Sequence, residues 1–228
     1  MPGPPVTRAL ELASVATERT TAATDAVLAL TVCTGIGWLR RSTPQSWRRS
    51  VWLLALAAFA GSATLGAVAH GIALAAPVRD ALWQPLYLLL GVALALFAAG
   101  AMADWRGERA GRASLPALLA LAGAFYLATR LSGGDFRIFL LFQAAALLFA
   151  LVVYGRLARL ERPGAATMAL ALVVSLAAGA VQAAGPLTLR LIWVFDHNGL
   201  FHLVQLAGVV LLIRGLGPSL QPVRASGA

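Results

Sequence analysis

Three histidines, His70, His197 and His202, are the only imidazoles in the chain. Each stands among carboxylates, amides or hydroxyls at helical spacing. Ser62, Gly66 and His70 follow i, i+4, i+8, and Asn198 and His202 follow i, i+4, with Gln205 three residues on. Asp80 and Gln84 are i, i+4, and Glu18, Thr21 and Asp25 are i, i+3, i+7. On a helix each set shares one face. Gln182 stands apart in a later apolar run. Two or three neutral imidazoles, completed by a carboxylate where needed, can hold Zn²⁺ and leave a position for water. The metal then lowers the pKa of that water to about 7 and makes a nucleophile. In such a site His70, His202 and His197 are the candidate ligands. Asp80 can orient or deprotonate the water, and the hydroxyl of Ser62 or Thr64 can donate to a developing oxyanion. Glu18, Asp25, Asn198, Gln84 and Gln182 are the candidates to hold the ligands in place from behind. The bland alternative is a metal-free hydrogen-bonded cluster that ties helices together.

The elements that carry these residues are apolar. Of the 228 residues 60% are hydrophobic and only 12% are charged, with a mean hydropathy of +0.80. Soluble domains carry about 25% charged residues, so lipid is the expected solvent. A spanning helix needs about 20 apolar residues, and seven such runs are found at 20–39, 51–74, 80–102, 114–129, 136–154, 165–184 and 195–213. The expected fold is an all-α integral membrane protein, a seven-transmembrane helical bundle over residues 18–214. Residues 1–17 are an extracytoplasmic segment, first loose and then a short interfacial helix, and 215–228 a cytoplasmic tail. Asp80 and Asp196 are the expected N-caps of the third and seventh spans. Pro85 and Pro116 are expected in first turns, where a missing N–H costs least.

The net charge of +9 comes from 18 arginines and no lysine. They lie in short clusters between apolar runs, which points to membrane topology and away from nucleic acid. Twelve fall on one side of the expected spans: Arg40, Arg41, Arg48, Arg49, Arg106, Arg109, Arg112, Arg156, Arg159, Arg162, Arg214 and Arg224. Six fall on the other: Arg8, Arg19, Arg79, Arg130, Arg137 and Arg190. The richer side is cytoplasmic by the positive-inside rule, so the N-terminus is outside and the C-terminus inside. The arginine and alanine usage fits a GC-rich bacterial genome and hence a bacterial inner membrane. Cys33 is the single cysteine. Leu30-Thr31-Val32-Cys33 is a poor lipoprotein box, because Glu18 and Asp25 stand where a signal peptide is basic and then apolar.

All three histidines fall at the outer ends of spans. Asp104, Glu108 and Glu161 are expected to be solvated partners of the inner arginines, which leaves the cytoplasmic half of the spans without acidic groups. That argues against a transporter, whose pathway needs polar groups at several depths.

A Ser and His stripe late in span 2, an Asp opening span 3 and histidines opening span 7 resemble the CREST superfamily. This group of seven-helix membrane proteins includes alkaline ceramidases and the progestin and adipoQ receptors. The resemblance covers about residues 18–213. It implies zinc held by His70 and His202 with a second span 7 histidine, Asp80 as the span 3 acid, and Ser62 as the hydroxyl. The acidic first span, Glu18 to Asp25, is similar to the ceramidase branch. Two positions differ from the family pattern. Gly66 stands four residues before His70, where the family has serine, and Asn198 stands four before His202, where it has histidine. His197 is five before, about 140° round a helix. The function implied is zinc-dependent hydrolysis of a lipid amide or ester. The alternatives are a non-catalytic lipid or small-ligand binder on the same scaffold, and a transporter. Membrane lipids are the expected partners.

Overall fold

The structure, a computed structural model, describes residues 11–222. The expected loose start and the topology arginines Arg8 and Arg224 lie outside the described residues. Seven helices dominate: α1 (Ala16–Ser42), α2 (Trp47–Gly71), α3 (Ala76–Arg106), α4 (Glu108–Leu131), α5 (Phe136–Arg159), α6 (Ala165–Ala183) and α7 (His197–Ser219). Each is long and apolar enough to cross a membrane.

Most helices outrun the expected spans. Arg40 and Arg41 lie in the last turn of α1, Arg106 in that of α3, and Arg156 and Arg159 in that of α5. Apolarity marks only the hydrocarbon thickness, whereas the i→i−4 ladder continues until something stops it. Between α3 and α4 the stop is Gly107, whose φ of 89° few other residues adopt. Longer helices change three expectations. Asp80 does not cap α3; the N-cap is Ala75, with a proline in the first turn. Pro85 and Pro116 lie inside α3 and α4 rather than in first turns. Asp196 does cap α7, accepting from the Gly199 N–H at 2.9 Å.

Two short extended pieces depart from an all-α chain. Between α6 and α7, β1 (Thr188–Arg190) and β2 (Val194–Asp196) pair as an antiparallel hairpin, so residues 195 and 196 are not helical as expected. Leu12 bridges to Ile72; Ala13 N–H donates to Gly71 O and Ala73 N–H to Glu11 O, each at 2.9 Å. Residues 11–13 are therefore strapped to the α2–α3 connection instead of forming an interfacial helix.

Helices α1, α2, α3, α5, α6 and α7 pack as a ring that closes where α7 meets α1, and α4 lies against the outside of α3. Small residues permit the close approach: Gly100 of α3 abuts the Trp52 indole, Gly91 abuts Phe125 of α4, and Gly208 of α7 abuts Ser175 of α6. The connections from α1 through α6 are short, so consecutive helices run antiparallel, while the ring neighbours α7 and α1, and α3 and α5, run parallel. All three histidines fall at one end of the bundle, the site end. Of the described arginines, 11 lie toward the opposite end and five toward the site end.

Candidate functional site

A cavity of about 870 Å³ opens at the site end and is lined from all seven helices. Asp25, Ser62, His70, Asp80, Gln84, Gln182, His197, Asn198 and His202 all border it. Of the expected residues only Glu18 and Thr64 do not: Glu18 reaches the site through His70, and Thr64 is exposed on the outer face of α2. Below these residues the lining turns apolar, with Phe59, Leu90, Leu94, Phe97, Leu147 and Leu212.

The two ligand candidates on facing elements are each held by α1. His70 Nδ1 lies 2.6 Å from Glu18 Oε2, which tethers α2 to the first turn of α1. Trp83 of α3 meets the His70 ring edge to face at 5.3 Å between centroids. His202 Nδ1 lies 3.1 Å from Thr24 Oγ1. The Thr24 hydroxyl already donates to Thr21 O at 2.8 Å. A hydroxyl has one hydrogen, so toward His202 it only accepts, and Nδ1 carries the proton. The other ring nitrogen, Nε2, then faces Asp25 Oδ1 at 3.4 Å, and the pair can hold a proton between them.

Asp25 is buried, 5% exposed, and its position is set by α2. A Cβ at Gly66 would fall 2.6 Å from Asp25 Oδ2. Gly66 is therefore the gap into which this carboxylate fits. Its spacing from His70 is legible in the sequence; what the missing side chain accommodates is visible only in the packing.

The span 7 residues form a network. Asp196 Oδ1 accepts from Thr21 Oγ1 at 3.2 Å, Asn198 Nδ2 stands 3.4 Å from Asp196 Oδ2, and Gln182 Nε2 donates to Asn198 Oδ1 at 2.6 Å. Asn198 thus links α6 to the cap of α7. The two hydroxyls proposed as oxyanion donors are engaged along their own helix: Ser62 donates to Phe59 O and Thr64 to Ala60 O, each at 2.8 Å. Asp80 is exposed at the mouth, in the second turn of α3.

Several lining residues lacked any motif. Gln143 is 7% exposed and Ser175 7% exposed; they lie on α5 and α6, and Gln205 Nε2 donates to Ser175 Oγ at 3.2 Å. The Oε1 atoms of Gln84, Gln143, Gln182 and Gln205 are buried without a hydrogen-bond partner, and all four residues border the cavity. Gln143 was detectable in principle as the lone amide in a long apolar run, since such a group is costly to bury. At the mouth Asp135 caps α5 and pairs with Arg137 at 2.7 Å. Hydrogen bonds from Arg137 hold the Asp135 carboxyl below the ordinary carboxylate value.

Among the described residues, no three His, Cys, Asp or Glu side chains are grouped to hold a metal ion, so His70, His197 and His202 do not form a zinc-ligand set in this geometry. The arrangement can bind a polar group at the mouth and an apolar body below, and it can move a proton between His202 and Asp25.

The family model described as "Family of unknown function (DUF6962)" matches residues 20–219, which takes in all seven helices except the first four residues of α1. No curated protein and no solved structure matches the chain.

Proposed function

The chain belongs to the Family of unknown function (DUF6962), and for this chain we propose a multi-pass protein of the bacterial inner membrane whose outward-facing cavity binds a lipid-like amphiphile. Seven apolar helices support insertion. So does the outer surface, where Leu54, Leu141, Leu148, Val152 and Leu170 are all more than half exposed. Large apolar side chains exposed on three helices are poorly suited to water and are at home in lipid. The arginine excess at the end opposite the histidines supports an outside N-terminus and a cytoplasmic C-terminus.

The single observation that carries the ligand reading is the polarity gradient of the cavity, with Asp25, His70 and His202 toward the mouth and aliphatic and aromatic walls below. Its volume of about 870 Å³ lies within the range of about 300–1,000 Å³ usual for small-ligand sites. Thermal unfolding of the detergent-purified protein, titrated with single-chain amphiphiles bearing anionic, cationic or neutral heads, tests it. One head class should raise Tm with concentration, and Leu90→Trp, which fills the cavity, should abolish that shift. Equal response of both proteins to every head class sinks the reading.

A zinc-dependent lipid hydrolase is the second reading. The observation that favours it is the carboxylate behind His70 Nδ1, an arrangement common behind metal-bound imidazoles. It predicts near one zinc per chain by elemental analysis of protein purified without chelator, lost in both His70→Ala and His202→Ala. A folded, metal-free native protein leaves only the binding reading.

A further inference from the structure

At the opposite end of the bundle lies a buried polar cluster that hydropathy does not announce. Asp104 was expected in solvent, yet its side chain is 3% exposed, because α3 continues past it to Arg106. Tyr154 Oη donates to Asp104 Oδ2 at 2.5 Å. Arg48 Nε stands 3.5 Å from Asp104 Oδ1, and Arg48 Nη2 donates to Ser219 O at 2.6 Å. The cluster thus joins α2, α3, α5 and the end of α7. The Trp52 indole also faces the Asp104 carboxylate, but neither Asp104 Oδ1 nor Trp52 Nε1 has a hydrogen bond of full geometry, so this side of the cluster is held loosely.

Two pockets come within a helical turn of one another beside this cluster. The cavity lining follows α2 from His70 to Trp52, which is about 27 Å of helix at 1.5 Å per residue. The hydrocarbon core of a bilayer is about 30 Å thick. One turn beyond Trp52, Arg48 lines a second pocket of about 350 Å³ with Ser46, Glu108 and Gln221, at the opposite end. Trp52 borders the large cavity and Arg48 the second pocket, one helical turn apart, and Asp104 and Tyr154 are bonded to that turn through Arg48 without bordering either pocket. Polar groups now stand at three depths: Asp25 and His202, then Ser62, Gln143 and Gln205, then Asp104. With Asp104 buried, an acidic group stands inside the bundle at the end opposite the histidines as well, which removes the objection to a pathway that polar groups gather at one depth alone.

We propose that the two pockets are the two mouths of one path through the bundle for a small amphiphile, and that the Arg48–Asp104–Tyr154 cluster is the gate that closes it. The proposal rests on the membrane-inserted, ligand-binding reading above. The occupant is a molecule with hydrogen-bond donors and no net negative charge: the middle of the path offers the unpartnered amide oxygens of Gln143 and Gln205, with the Asp25 carboxylate above them and Asp104 below. A donor on the ligand can replace Tyr154 on Asp104 as the gate opens.

Accessibility of a cavity thiol from each side tests this. On a Cys33→Ser background, Ser62→Cys places a small reporter in the wall of the cavity. The probe is a membrane-impermeant trimethylammonium thiosulfonate, applied to vesicles of either orientation. Labelling should be fast from the site end and slow from the opposite end. Combining Asp104→Asn with Tyr154→Phe should raise the opposite-end rate by about tenfold or more, as expected from losing a hydrogen bond to a charged group. The site-end rate should hold. Arg48→Lys and Tyr154→Phe, each alone, give the same reading should the double variant fail to fold, with smaller rises. An opposite-end rate unchanged in every folded variant, with site-end labelling intact, overturns the gate and leaves the binding reading standing. No labelling from either end overturns the cavity and with it both readings.

Discussion

At position 66 the side chain is a hydrogen atom, and the Asp25 carboxylate occupies the space a methyl group would need. Gly66→Ala should destabilise the protein by about 1–3 kcal/mol, the usual range for forcing a methylene into a packed interior. The loss should shrink when Asp25→Ala is added, with a coupling of about 0.5–3 kcal/mol between the two. Thermal or denaturant unfolding of the three variants checks it, and strictly additive losses would show that the two residues do not meet. His202 offers a second test at this scale. Its Nδ1 proton is assigned by the Thr24 hydroxyl, which spends its own hydrogen on Thr21 O. Thr24→Val removes that acceptor and should release the ring from the Nδ1–H form. Nitrogen chemical shifts of labelled histidine report the tautomer, and an unchanged His202 spectrum would contradict the assignment. By contrast the Asp135–Arg137 pair is exposed, and exposed ion pairs contribute little.

Among the elements, α7 depends on a cap and α3 does not. Asp196 accepts from the Gly199 N–H and from Thr21 of α1. Its replacement by alanine should cost about 1 kcal/mol or somewhat more, since the cap bond is accompanied by a tie to another helix. Asp80→Ala should leave stability within about 0.5 kcal/mol, because Asp80 is an exposed second-turn residue without a capping bond. Equal losses at the two positions, measured side by side, would refute this asymmetry. Helix α4 makes a further contrast. Phe125 packs against Gly91 and stacks on Phe142 with centroids 4.8 Å apart, whereas Leu121 is 56% exposed. Phe125→Ala should cost about 3 kcal/mol or more by leaving a cavity, and Leu121→Ala almost nothing.

For the whole molecule the orientation is the proposition most open to a decisive test. A reporter active only in the cytoplasm should be active when fused after Ala228 and inactive when fused ahead of Thr7. The reverse pattern would put the histidine end and the large cavity on the cytoplasmic side. Outside the ring of six helices, α4 is the least buried element. Only Gly111, Ala122, Phe125 and Thr129 of α4 are buried, with Leu115, Leu118 and Tyr126 half-buried against the bundle, so the opposite face of α4 is exposed.

Composition and the arginine clusters were enough to read seven helices, their order and the end at which the polar side chains gather. These follow from local rules: a run of apolar residues of bilayer length must satisfy its backbone within itself, and a period of 3.6 residues fixes which neighbours share a face. The stripes through Asp25, His70 and His202 were legible for that reason. What the period leaves open is which stripes meet, and there the tertiary structure decided. It paired Glu18 with His70 and Asp25 with His202, and placed Gly66 against Asp25. It also drew Gln143 into the cavity wall and buried Asp104 against Tyr154. None of these contacts has a sequence spacing of its own, because each joins helices whose rotation and approach are set by small residues packing across the whole ring. Helix ends escaped the sequence for a related reason: hydropathy reports the thickness of the solvent, while Gly107 and the Asp196 cap report where the backbone ladder stops.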